Sequence, residues 1–260
     1  MAEALRLQRT GSSHALILEG VSRSFGALKA IAGIDLTVDA GERRGILGAN
    51  GAGKTTLFNA ITGDFPPTAG RIRFFGEDVT HLPAYERIRR GMRRTYQNSM
   101  LFRGLSVLDN LYLAARGVTR GRLSFLRPRE DDGARRSAHD LAHAVHLDSV
   151  GEQLVSELSH GQQRQLEIGM ALAGAPRCIL FDEPAAGLSP GERRELVQIL
   201  DALPRYMSFI IIEHDLDVAL RVVDRVTVMH NGMIFKHGTP AEIQDDPDVQ
   251  RIYLGGGRHG

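Results

Sequence analysis

The sequence predicts an α/β fold built on a mostly parallel sheet, and three observations carry that expectation. Arg44–Leu47, Cys178–Phe181 and Ser208–Ile212 are short, largely apolar runs without the alternation of a half-exposed strand, as central strands buried on both faces require. Helical patterns follow them at Lys54–Ile61, Pro190–Ala202 and Asp215–Val222, the strand-then-helix rhythm of a parallel sheet. Between 98 and 165 strand-like stretches all but vanish. Helices are expected there at Val107–Ala115, Ala134–Val145 and Gly161–Ala173, so a helical subdomain (about 98–165) interrupts the α/β core.

Taken in chain order, residues 1–14 read as a tail, and 15–255 as one domain with 256–260 trailing it. Ala15–Leu18, Ile34–Val38, Arg71–Phe75 and Arg225–Met229 read as further strands. Asn231-Gly232 between two strand-like runs predicts a tight hairpin, because both residues tolerate positive φ. Thr239-Pro240-Ala241-Glu242 is a capping box with proline at the first helical position, so a helix begins there. No internal repeat or low-complexity linker is visible.

The 260 residues are 42% hydrophobic and 24% charged, which suits a packed core and excludes disorder as the default. A formal charge of +1 argues against blanket binding to nucleic acid. That neutrality is a sum of opposites: 87–136 holds thirteen arginines and four acids, a net +9, against −8 elsewhere. Only Lys29, Lys54 and Lys236 stand beside 29 arginines, a bias that fits a GC-rich genome. A single cysteine, Cys178, excludes a disulfide framework and any multi-cysteine cluster, and its apolar surroundings suggest a buried thiol. No apolar run is long enough to cross a bilayer, and the first residues lack a signal-peptide core. The expectation is an intracellular protein, either soluble or attached to a membrane only through a partner.

Chemistry concentrates first at Gly48-Ala49-Asn50-Gly51-Ala52-Gly53-Lys54-Thr55, which follows an apolar strand and opens a helix. The glycines let backbone N–H groups converge on phosphate oxygens, and the helix N-terminus adds its positive end. Lys54 would reach the β- and γ-phosphates and Thr55 would hold Mg²⁺. Downstream, Ile179-Leu180-Phe181-Asp182-Glu183 places two acids at the end of a buried strand. In a phosphoryl-transfer site Asp182 would serve Mg²⁺, and Glu183 would polarise the attacking water.

Leu158-Ser159-His160-Gly161-Gln162, followed by a helix and then the acidic strand, resembles the LSGGQ signature of ATP-binding cassette (ABC) ATPases. Phe25 stands where that family places an aromatic ring on adenine, Gln97 where it places the glutamine loop, and His214 where it places a switch histidine at the γ-phosphate. The resemblance spans nearly the whole chain. It implies a P-loop NTPase core with a mostly parallel sheet, an N-terminal antiparallel β subdomain and an inserted α-helical subdomain. It also implies that ATP is held by Phe25, Gly48, Asn50, Gly51, Ala52, Gly53, Lys54, Thr55 and Thr56, and by Ser159, Gly161 and Gln162 of a paired subunit. Mg²⁺ falls to Thr55, Gln97 and Asp182, and hydrolysis to Glu183, His214 and Gln97. The implied partners are a second ABC ATPase, two transmembrane permease subunits and, indirectly, a solute-binding protein, at the cytoplasmic face of the cell membrane.

Leu57–Gly63, Arg94-Thr95-Tyr96-Gln97-Asn98, Glu183–Leu188 and the ending Asp246–Val249 with Tyr253-Leu254-Gly255 resemble the LivG-type ATPases of branched-chain amino-acid importers. The signature and Leu166–Met170 are also similar to urea-importer ATPases, and the size suits lipopolysaccharide exporters. A non-transport cassette protein is the alternative from another class. Two positions depart from the family pattern: His160 replaces the first signature glycine, and Ser189 stands where many cassettes carry aspartate. Two readings of the arginine-rich stretch stay open, a face toward the membrane subunits and a solvated consequence of codon bias.

Overall fold

Ile179–Phe181 and Phe209–Ile212 are wholly buried, and the strands that carry them run side by side in the middle of a sheet. The computed structural model describes residues 12–95, 101–118 and 133–255. Gln97 and residues 119–132 of the arginine-rich stretch lie outside them. The strands are β1 (His14–Phe25), β2 (Leu28–Asp39), β3 (Arg43–Leu47), β4 (Ala69–Phe74), β5 (Glu77–Asp78), β6 (Met92–Arg94), β7 (Cys178–Asp182), β8 (Ser208–Ile212), β9 (Arg225–His230) and β10 (Met233–Gly238). They form a four-stranded antiparallel sheet, β2-β1-β4-β5, and a six-stranded sheet, β10-β9-β3-β8-β7-β6, parallel except for β10.

Helices α1 (Lys54–Thr62), α2 (Ala84–Arg89), α3 (Val107–Val118), α4 (Gly133–Ala144), α5 (His160–Leu172), α6 (Pro190–Ala202), α7 (Leu216–Val222), α8 (Pro240–Gln244) and α9 (Pro247–Gly255) complete the order. The chain divides into two compact units, Met1–Arg94 with Arg177–Glu183 and Pro204–Gly260, and Thr95–Pro176 with Pro184–Leu203. Both sheets belong to the first unit, while α3 to α6 make up the second.

In the first unit one apolar core joins the two sheets. Leu16 and Leu18 of β1, Ile34 of β2, Ile46 of β3, and Ile210 and Ile212 of β8 pack with Leu57, Phe58 and Ile61 of α1. Arg87 is buried against the end of α1, donating to the Ala60 and Ile61 carbonyls at 2.7 and 2.5 Å. A cation on terminal carbonyls complements the helix dipole, and burial pushes this guanidinium down to about 10. The hairpin between β9 and β10 turns at Asn231 (φ 48°) and Gly232 (φ 75°), a type I′ turn. Its Gly232 N–H donates to the Ala52 carbonyl, which props the phosphate loop from behind.

Two differences from the sequence expectation have physical causes. β1 and β2 run far beyond their apolar alternation, because each pairs with the other along its whole length through several register shifts. A short strand is expected at 94–96, just ahead of Gln97; β6 instead ends at Arg94, and the pairing Arg94↔Leu180 with β7, not local pattern, defines it. β8 ends at Ile212, which leaves Glu213 and His214 in the loop before α7.

In the second unit Asn110 is fully buried on α3 and ties the segment before it, accepting from Phe102 N–H and donating to the Phe102 and Ser106 carbonyls. Cys178 is buried in the first unit, and burial pushes its thiol up to about 12, which removes it as a nucleophile.

Candidate functional site

The phosphate loop leaves β3, every residue of which is buried, and enters α1 at Lys54. Two of its positions admit only glycine. A Cβ on Gly48 would stand 2.4 Å from the Met229 carbonyl oxygen, and one on Gly53 (φ 96°) 2.7 Å from that of Ala30. Gly53 caps α1 without a side-chain hydrogen bond, so the first-turn N–H groups are left for an anion. The Lys54 ammonium curls back over the loop and donates to the Gly48 carbonyl at 2.7 Å and the Ala49 carbonyl at 3.0 Å. Burial lowers its pKa from the ordinary lysine value, while the carboxylates of Glu183 and Asp182 pull it back up.

Asn50, Gly51, Ala52, Gly53, Lys54, Thr55 and Thr56 line a cavity of about 500 Å³ together with Glu183 and His214. β7 and β8 deliver the last two. Glu183 follows Asp182 at the end of β7 and takes φ 49°, a left-handed conformation that costs a non-glycine residue about 1–2 kcal/mol. The Glu183 N–H donating to the Ile212 carbonyl at 2.9 Å holds it there. His214 Nε2 and Glu183 Oε1 stand 2.8 Å apart, a hydrogen bond in which an Nε2–H donates to the carboxylate. Asp182 is almost fully buried, with Oδ2 accepting from Arg94 Nη2 at 2.6 Å. The cavity therefore has a cradle of backbone donors, a buried ammonium, an exposed hydroxyl on Thr55 and a hydrogen-bonded carboxylate–imidazole pair, which suits a polyphosphate.

The signature segment belongs to the second unit and is built differently. Ser159 caps α5: its Oγ accepts from Gln162 N–H at 3.2 Å, and Gln162 Oε1 accepts from Ser159 N–H at 2.9 Å. The Gly161 N–H donates to Glu192 Oε1 at 3.0 Å, and Ser159 Oγ reaches the same oxygen at 3.5 Å. The other Glu192 oxygen accepts from Ser189 N–H at 2.9 Å, closing the capping box of α6. These bonds hold the Glu192 carboxyl below the usual range, Ser189 first and Gly161 after it. One carboxylate thus joins the signature to the segment that begins at Ser189.

A family model described as "ABC transporter" matches residues 31–186, well over half of the chain. The chain belongs to the ABC transporter family. As a cassette of that family it binds ATP and hydrolyses it to ADP and phosphate, coupled to transport. A second model, "Branched-chain amino acid ATP-binding cassette transporter", matches residues 237–259. The cassette is 36% identical over 249 residues to the high-affinity branched-chain amino acid transport ATP-binding protein BraF of Pseudomonas aeruginosa, covering 92% of this chain and 97% of that one. It is 36% identical over 250 residues to LivG of Escherichia coli K12, again covering 92% and 97%. The lipopolysaccharide export ATP-binding protein LptB of the same organism is 34% identical over 244 residues, with the same coverage. Among solved structures, the ADP conformation of MJ1267, an ATP-binding cassette of an ABC transporter, superposes with a TM-score of 0.83 at 32% identity, covering 93% of this chain and 99% of that one.

Within the cassette, the loop residues expected from Asn50 to Thr56 share one cavity with Glu183 and His214. Phe25 does not line that cavity: it ends β1, half exposed, three residues before Leu28, which does. Phe25 packs edge-on against Phe65 at 5.6 Å, with the Arg23 guanidinium 4.8 Å over its ring. Gln97 lies outside the described residues. Two charged residues had no role in the sequence expectation: Arg94, which carried no motif of its own, and Glu192, whose bond to Gly161 no local pattern announces.

Proposed function

We propose that this cassette is the ATP-hydrolysing subunit of a branched-chain amino-acid importer, working as one of a pair beneath two transmembrane permease subunits. One observation carries the chemistry: Lys54, Thr55, Glu183 and His214 line a single cavity, with the carboxylate and imidazole hydrogen-bonded at 2.8 Å. The phosphate loop binds the triphosphate through its N–H groups, and Lys54 exchanges its loop carbonyls for phosphate oxygens. Glu183 accepts the proton of the attacking water, and His214 holds Glu183 and reports on the γ-phosphate. The Thr55 hydroxyl and the Asp182 carboxylate, with Gln97, are the hard oxygen donors that would hold Mg²⁺, which spreads the charge of the β- and γ-phosphates. Ser159, Gly161 and Gln162 present their helix start to the nucleotide of the partner, and Phe25 serves the adenine.

The match at 237–259 supports the solute assignment. A solute-binding protein would then deliver the amino acid to the permeases, and no nucleic acid takes part. Among the described residues no helix is long and apolar enough to cross a membrane, which accords with a peripheral subunit at the cytoplasmic face. The test is purification of the cassette with its membrane subunits, followed by transport in vesicles. ATP-driven leucine, isoleucine or valine uptake supports the reading. Uptake of urea alone, or extraction of lipopolysaccharide, replaces it with the corresponding alternative.

A further inference from the structure

We propose that Arg94 is a positioning residue for the acidic strand end, tying Asp182 to the helix that carries Thr55. Arg94 is the last residue of β6 and, although its side chain is only 6% exposed, its guanidinium spans two elements. Nη2 donates to Asp182 Oδ2 at 2.6 Å. Nη1 donates to Asn59 Oδ1 at 2.5 Å and to Asp64 Oδ2 at 2.8 Å, and reaches Thr62 Oγ1 at 3.3 Å. Thr62 Oγ1 in turn donates to Asp64 Oδ2 at 3.0 Å, which steadies the far side of the clamp.

The geometry is directional. Asn59 lies four residues after Thr55 on α1, on the same helix face one turn along. By gripping Asn59 with one arm and Asp182 with the other, Arg94 sets the distance between the strand end and the helix face that bears the Thr55 hydroxyl. The grip on Oδ2 also stops the carboxylate from rotating. A planar fork with fixed donor directions suits this task, and a lysine ammonium could not serve both arms at once. A buried pair of opposite charges gives little net stability, so registry is the better account of its presence.

The inference rests on the proposed role of Asp182 toward Mg²⁺, and metal affinity is where it is read. The experiment uses the full chain, with Mn²⁺ as an EPR-active probe titrated at saturating ATP, and ATP binding measured in parallel in EDTA. Arg94→Lys, which keeps the charge but loses the fork, is expected to weaken Mn²⁺ binding about tenfold, as loss of outer partners of metal ligands typically does. Asp64→Asn, which loosens the clamp without touching Asp182, is expected to shift it in the same direction by less. Both leave metal-free ATP affinity and the melting transition near wild type. Wild-type Mn²⁺ affinity in the two variants overturns the role of Arg94, as does an equal loss of metal-free ATP binding. Absence of nucleotide-dependent Mn²⁺ binding in the wild type overturns the metal reading itself, and this proposal with it.

Discussion

The phosphate loop and the signature segment both present the start of a helix, but one leaves its donors open and the other satisfies them from within. At α1 the cap is Gly53, which contributes no side chain, and the Lys54 ammonium rests on two carbonyls of its own loop. At α5 the Ser159–Gln162 box and the Glu192 carboxylate take up the first-turn donors, so an anion supplied by the chain already sits at Gly161. The first helix start therefore offers its N–H groups open, with only the Lys54 side chain to swing from its loop carbonyls. On the proposed reading, in which the second meets a partner's nucleotide, it would first have to exchange one negative group for another.

The largest test of that comparison is on the open side. Glu183→Gln is expected to retain ATP binding while phosphate release by the assembled complex falls by about 10²–10⁴, the usual worth of a general base. Near-normal turnover would remove Glu183 from that role. Lys54→Ala should weaken ATP binding by about 10- to 100-fold, since a charge-assisted hydrogen bond contributes about 1.5–3 kcal/mol. Isothermal titration against wild type reads this directly.

Next come the two glycines. Gly53→Ala forces a side chain into a left-handed position and onto the Ala30 carbonyl, and should destabilise the cassette by about 2 kcal/mol or more in urea unfolding. Gly161→Ala sets its Cβ 2.3 Å from Glu192 Oε1 and 2.6 Å from its Cγ, displacing the carboxylate that caps α6, but it keeps a right-handed helical backbone and gains helix propensity of about 1 kcal/mol, so it should cost clearly less than Gly53→Ala. Equal losses would erase the distinction between the two helix starts.

The smallest effect is expected from Glu192→Gln. Removing the negative charge at Gly161 should lower the KM for ATP of the assembled complex by about two- to fivefold, the scale of an exposed charge interaction. The same pair of proteins has a pH signature. The folded Glu192 pKa lies below its unfolded value, so the carboxylate's stabilisation is complete above the ordinary glutamate range and is lost as pH falls through the folded pKa. Wild type should therefore melt above the variant at neutral pH and converge with it in acid.

Much of this was legible in the sequence where local rules act. Pro190–Ala202 appears with the boundaries its capping box and first-turn proline specify, and the Asn231-Gly232 turn has the positive φ values that its residues favour. The phosphate loop, with strand before and helix after, needed no more than its own spacing. Legibility failed where a partner distant in sequence defines the element. β6 takes its bounds from the pairing of Met92–Arg94 with β7, and three residues hold too little alternation to fix them. β1 and β2 extend through polar positions because each provides the other's hydrogen bonds.

The available chemistry follows from local spacing alone: a glycine loop ending in Lys54 and Thr55, two acids closing an apolar strand, and a serine and glycine opening a helix. These depend on spacing within a few residues, which backbone geometry converts directly into a turn, a cap or a strand end. Only the tertiary structure decided which charge each group faces. Arg94 meets Asp182 across 88 residues, and Glu192 meets Gly161 across 31. Such pairings depend on sheet register and on how buried charges find partners once water is excluded, and no local pattern records them.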